Sequence, residues 1–219
     1  MVVTWDLGPP PGAEVAPMLS PSLRSGMDLV EQKWGALCRE IGARHQLPDG
    51  WLQAMIWRES AGNARAFRQE KDKNGVPIRD ASGKLLTGVG LMQITSPALK
   101  RNRTDAELFE PGLNIELGAR YVAELAARPD VKGDFPRVAA AFNAGSVRDS
   151  SRNRWGMVMT TGHVDAEVAA FNYWLASRMS DAQRTAAMAV AAQFDEAALL
   201  PDLDSVADEM KDDDSEPSA

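Results

Sequence analysis

Residues 51–60 read WLQAMIWRES, and the rest of the chain is best read outward from them. Trp51, Leu52, Met55 and Ile56 recur at the three-to-four spacing of a buried helical face. The break just before, Leu47-Pro48-Asp49, offers Asp49 as an N-cap, so a helix is predicted over about 50–60. Glu59 and Ser60 fall at its C-terminal end. A carboxyl at the end of so apolar a helix, facing a cleft, is partly desolvated, and desolvation disfavours the charged form. A carboxylic acid that stays protonated near neutral pH can donate to a leaving oxygen. Taken alone, Glu59 reads rather as a surface carboxylate paired with Arg58 or Arg65.

On the N-terminal side, Met27, Val30, Trp34, Leu37, Cys38 and Ile41 predict a helix over 27–46. On the C-terminal side, residues 68–88 interrupt the helical pattern. Asn74-Gly75 and Ser82-Gly83 are turn signals, and Val76, Ile78, Leu85 and Leu86 line a short hairpin between them. The DKNG of 72–75 resembles the start of a calcium loop but lacks the spaced acids and the closing Glu. Helical patterns return over about 91–101, 112–127, 134–143, 163–178 and 180–198. Strand signals are scarce, so the class is mainly α with a small hairpin insert. The expected organisation is a flexible arm of Pro, Gly and Ser over 1–26, one domain over 27–198, and an acidic tail over 199–219 that is too polar to bury.

The net charge of −7 belongs to that tail, where 201–219 hold eight acids and one base; residues 1–200 are neutral. Residues 30–180 hold 21 bases and 17 acids, a mildly basic body that does not repel an anionic polymer and is too weak a bias for nucleic acid. No stretch reaches the length of a membrane span. The N-terminus, MVVTWDLGPPPG, does not read as a secretory signal peptide. The single cysteine, Cys38, is expected to be a small buried hydrophobe. His45 and His163 stand without an evident ligand pattern, so no metal and no cofactor are expected. His45, just ahead of Pro48, reads as a helix-end residue.

Glu59-Ser60 is followed by Gly90-Leu91-Met92-Gln93-Ile94, then by Asn114-Ile115-Glu116-Leu117-Gly118-Ala119-Arg120-Tyr121, then by Ala141-Phe142-Asn143-Ala144-Gly145. These four motifs, in this order, resemble the lytic transglycosylases, whose fold is shared with goose-type lysozymes. The resemblance covers about 47–178. It implies a single lysozyme-like catalytic domain that cuts peptidoglycan glycan strands between N-acetylmuramic acid and N-acetylglucosamine, leaving 1,6-anhydro ends. It implies Glu59 as the catalytic acid and base. It implies Ser60, Gly90, Met92, Gln93 and Asn143 along the substrate groove. Asn114 is expected to cap a helix and Tyr121 to pack in the core; Leu91, which the resemblance also puts along the groove, and Met92 have core packing as their alternative. The family's tyrosine in the last motif is Phe142 here, which removes a hydroxyl that touches the catalytic Glu in the family. Tyr173, in FNYW, resembles a later family element and is the candidate to supply an active-site hydroxyl.

The segments expected to line the cleft supply Ser60, Gln93, Asn143 and Tyr173 and no second carboxylate, which favours one Glu used twice over the paired carboxylates of most glycosidases. The alternatives are a lysozyme of the same fold, with a water held by Asp72 or Asp80 of the insert, and a non-enzymatic wall-binding or virion structural protein. With no signal peptide read, the expected setting is a phage virion, or a host cytoplasm with delivery to the periplasm and wall. The N-terminal arm is then the candidate contact for a virion or secretion-machinery partner.

Overall fold

In the computed structural model, the residues described are 21–180, apart from 73, 96, 101, 148–156 and 158–160. The stretch 1–20, the helix expected over 180–198 beyond its first residue, and the acidic tail lie outside the described residues.

Helix α1 spans Pro21–Arg44 and buries Leu23, Met27, Val30, Cys38 and Ile41 along one face. It therefore starts six residues before the expected boundary at 27. Leu23 extends the same apolar stripe by one turn, and Pro21 is tolerated in a first turn, where its missing N–H is not needed. Cys38 is buried, and burial pushes its thiol up to about 12, so it is an inert hydrophobe. The end of α1 is tied down by Arg44 and His45, both paired with Glu116.

Helix α2 spans Trp51–Ser60, and every side chain from Trp51 to Ile56 is buried. Its cap differs from the expected one. Asp49 lies one residue too early, and its carboxylate accepts from the Gly50 N–H and the Gln53 amide. Gly50 holds the cap position with φ of 94°, and a Cβ there would meet the Trp174 ring at 2.6 Å. A left-handed turn and a close ring thus require glycine together.

The insert is a ribbon. Strands β1, Phe67–Gln69, and β2, Thr87–Val89, pair antiparallel with Phe67 opposite Val89. Beyond them, bridges Lys71–Pro77 and Arg79–Leu85 continue the ribbon through two tight turns. In each turn an Asp accepts from backbone N–H groups two and four residues on, Asp72 from Asn74 and Val76, Asp80 from Ser82 and Lys84. The base of the ribbon is pinned by a partly buried trio: Lys100 Nζ donates to Thr87 Oγ1 (2.8 Å) and Asp105 Oδ1 (2.9 Å), and Thr87 donates to Asp105 Oδ2.

The helix expected over 91–101 reduces to α3, Pro97–Lys100. Residues 90–94 form a tight turn instead, closed by Ile94 N–H donating to the Val89 carbonyl, with positive φ at Gly90 (77°) and Gln93 (45°). Asn114 dictates this. It does not cap helix α4, Pro111–Ala126, whose cap is Glu110. It sits fully buried one turn in, where Oδ1 accepts from Met92 N–H and Nδ2 donates to the carbonyls of Val89 and Leu108. Asn114→Ala takes the partner from the buried Met92 N–H and Leu108 carbonyl, and one of two donors from the Val89 carbonyl. It is expected to cost about 3 kcal/mol of stability, on the scale of about 1–3 kcal/mol per orphaned group. Urea unfolding measures this, and an unchanged midpoint would show that the turn holds itself.

Helix α5 spans Phe135–Ala144 and ends at Gly145 (φ 74°). Helix α6 spans Thr161–Ala176. Helix α2 packs against both α1 and α6, α6 also packs on α5, and α5 on α4. Rings join these layers: Phe135 lies 4.9 Å from Trp51 and 5.0 Å from Phe171. Among the described residues no helix is long and apolar enough to cross a membrane.

Candidate active site

The C-terminal end of α2 and the first turns of α6 meet at Glu59. Helix α2 stops there because Ala61 turns left-handed (φ 51°) and closes its N–H onto the Trp57 carbonyl. The chain then turns through Gly62, whose carbonyl accepts from Trp34 Nε1 at 2.9 Å, so the helix end is fixed to α1. The Glu59 side chain is 7% exposed.

Helix α6 buries Val164, Glu167, Ala170, Phe171 and Trp174, a stripe at helical spacing with one carboxylate in it. Glu167 is wholly buried and lies one turn after His163. His163 Nε2 is 2.8 Å from Glu167 Oε1 and 3.5 Å from Glu59 Oε1. On the other side of the ring, Nδ1 lies 3.3 Å from Asn143 Nδ2, from the end of α5. When that amide donates to Nδ1, Nε2 carries the ring proton that Glu167 accepts. Three helices thus contribute one side chain or more to a single cluster.

Its electrostatics favour a proton on Glu59. Burial pushes the Glu59 carboxyl up to about 7, and the negative charge of Glu167 pushes in the same direction; His163, Arg68 and Arg58 oppose both. A carboxyl poised there can give a proton and take one back under the same conditions. The sequence reading missed this partner. Glu167 was the second acid that no motif contained, and its spacing from His163, four residues on one helix, was the available signal.

A family model described as transglycosylase SLT domain matches residues 36–156, more than half of the chain. The chain belongs to the transglycosylase SLT domain family. The lysozyme-like, mainly α class read from the four motifs stands with it. Among solved structures, the SLT domain is similar to an inactive mutant of the lytic transglycosylase Slt from Pseudomonas aeruginosa, at 19% identity and a TM-score of 0.38. The match covers 70% of this chain and 22% of that one, so this chain spans less than a quarter of its length. No curated protein matches the chain.

The other expected site residues of this SLT domain divide. Ser60 adjoins Glu59, but its hydroxyl donates back to the Ile56 carbonyl at 3.0 Å. Asn143 does not touch Glu59 in any described contact; its Nδ2 lies 3.3 Å from His163 Nδ1, and His163 Nε2 lies 3.5 Å from Glu59 Oε1. Gln93 is 7% exposed, and its amide nitrogen donates to the carbonyls of Gly90 (3.0 Å) and Ala66 (3.3 Å), so it binds the turn to the ribbon's base.

Three expectations are corrected. Gly90 is not open to a ligand: the space of its missing Cβ is filled by Asn114 Nδ2 at 2.3 Å and the Leu108 carbonyl at 2.6 Å. Met92 is wholly buried, packed where a Cβ on Gly118 would be 2.7 Å away, and does not face a groove. Tyr173 lies ten residues along α6 from His163, about 15 Å at the helical rise. Its hydroxyl donates to Asp28 at 2.8 Å, remote from the cluster. Phe142 packs its ring on Tyr121 at 5.5 Å, so the hydroxyl missing from that position is not replaced by Tyr173; His163 is the polar neighbour of Glu59 instead.

Proposed function

We propose that this SLT domain is a peptidoglycan lytic transglycosylase that cuts the bond between N-acetylmuramic acid and N-acetylglucosamine and leaves a 1,6-anhydro ring. The observation that carries this is the Glu59 carboxyl, nearly buried and raised to about 7. In its protonated form Glu59 donates to the bridging oxygen, and the C1–O bond breaks. Positive charge on C1 is met by the sugar's own acetamido oxygen. Glu59, now anionic, takes the proton of the C6 hydroxyl, and O6 bonds to C1. No water is consumed, and Glu59 ends the cycle protonated as it began. The C6 oxygen is tethered to the reacting sugar, a proximity advantage of about 7–11 kcal/mol in good geometry. The glycan strand is then the partner and the wall the place of work, with a virion or secretion machinery as the means of delivery.

A second reading rests on Glu167. A retaining hydrolase needs a second carboxyl about 5–5.5 Å from the acid, and ligand oxygens of Glu59 and Glu167 lie within 4.8 Å of each other. Against it, Glu167 is 0% exposed and bonded to His163, so it is not presented to a sugar ring. Asp72 and Asp80, the water-holding candidates, are engaged in the ribbon's turns. Digestion of wall in heavy-oxygen water separates the readings. The expected muropeptides are unlabelled at C1 and weigh one water less than hydrolytic ones. Reducing, labelled ends would make the domain a hydrolase.

A further inference from the structure

Glu59, His163 and Glu167 also have the geometry of a metal site. Helix α6 puts His163 and Glu167 on one face, one turn apart. Each of the three residues offers one ligand atom, and these atoms lie within 4.8 Å of one another. The two shorter separations, 2.8 Å and 3.5 Å, both start from His163 Nε2. A tetrahedral zinc ion with bonds of about 2.0–2.2 Å sets its ligand atoms roughly 3.3–3.5 Å apart. Small side-chain rotations therefore suffice to close the cluster around an ion.

An independent observation points the same way. Glu167 Oε2 is buried and has no hydrogen-bond partner among the described residues. A buried carboxylate oxygen normally has a donor or a cation beside it. Glu167 and Glu59 both approach Nε2 of His163, and a cation there would lie between the two carboxyl groups. Support behind the ring is present too. If Nε2 takes a metal, Nδ1 carries the proton, and Asn143, 3.3 Å away, can turn its amide oxygen to accept it. One imidazole and two carboxylates suit zinc better than calcium or magnesium, which want six or more oxygens or several retained waters.

We propose that Glu59, His163 and Glu167 bind a zinc-like divalent ion through one nitrogen and two oxygens, with the fourth position open. A bound ion occupies the Glu59 oxygen that would carry the proton. Resting on the reading of Glu59 as the acid, zinc is then a reversible inhibitor of wall cleavage.

The test is calorimetric titration of the full chain, freed of metal by a chelator, with zinc chloride. One ion per chain is expected. His163→Ala and Glu167→Gln should each weaken binding by more than about tenfold, the loss seen when even an outer partner is removed. Cobalt should give the visible absorption of a four-coordinate ion in the wild type and lose it in both variants. Circular dichroism checks that each variant folds; if one does not, Glu59→Gln takes its place, with the same weakening expected. No stoichiometric uptake by the wild type, or equal uptake by the folded variants, would overturn the site. Zinc should stop wall cleavage and a chelator restore it; stoichiometric binding with cleavage unimpaired would overturn the inhibition. If the metal-free chain cleaves no wall at all, the functional reading fails, and the calorimetry still decides the site.

Discussion

Glu59→Gln is expected to lower wall lysis by roughly a thousandfold or more while leaving the fold intact. General acid–base catalysis contributes on the order of 10²–10⁴ per group, and here one carboxyl serves both steps. Glutamine keeps the size and one acceptor but has no proton to give at neutral pH. Turbidity of permeabilised cells, with circular dichroism as the fold control, measures the effect. Lysis near the wild-type rate would remove Glu59 from the chemistry. For the wild type, activity should fall as pH rises through about 7, where Glu59 loses its proton.

The same substitution should make the protein more stable at alkaline pH. The Glu59 carboxyl is raised in the folded state from 4.5 to about 7, chiefly by burial and then by Glu167. The folded chain therefore binds this proton more tightly than the unfolded chain. Its contribution to stability is fully present below the unfolded value, and it is lost as pH rises through the folded one. Over that window the loss is about 3 kcal/mol at ~1.4 kcal/mol per pH unit. Glutamine does not ionise and escapes the loss. Urea unfolding of both proteins at about pH 4 and about pH 8 isolates the term, because every other titrating group is common to the pair. The expected result is a gap that opens by about 3 kcal/mol in favour of the variant at the higher pH. A gap that stays constant would mean that Glu59 titrates as an ordinary surface carboxyl.

The parts of the fold written in local pattern were legible beforehand. Trp51, Leu52, Met55 and Ile56 marked the central helix, and Asn74-Gly75 and Ser82-Gly83 marked the ribbon's two turns, because periodicity and turn chemistry act within a few residues. The parts that failed depend on what another element does. Gly90 and Met92 read as groove residues, yet Asn114, more than twenty positions away, folds that turn into the core. Tyr173 fitted a short motif, but the buried stripe of α6, Val164, Glu167, Ala170, Phe171 and Trp174, leaves its hydroxyl donating to Asp28 on α1. Glu167 was passed over because it stands outside the four motifs. Only the packing of α6 on α2 and α5 shows that it points inward, toward the acid it helps to protonate.

On the proposed function, that arrangement bears on when the chain could first cut a wall. The acid is made early, on α2, while His163 and Glu167 are more than a hundred residues later, on the last described helix. Chains are synthesised from the N-terminus at about 5–20 residues per second, and distant contacts form late. Until Thr161–Ala176 docks, Glu59 lacks the negative neighbour and the cover of α6, and a solvated carboxyl is ionised at neutral pH. On the proposed mechanism a nascent chain is thus unarmed until the last described helix docks against Glu59.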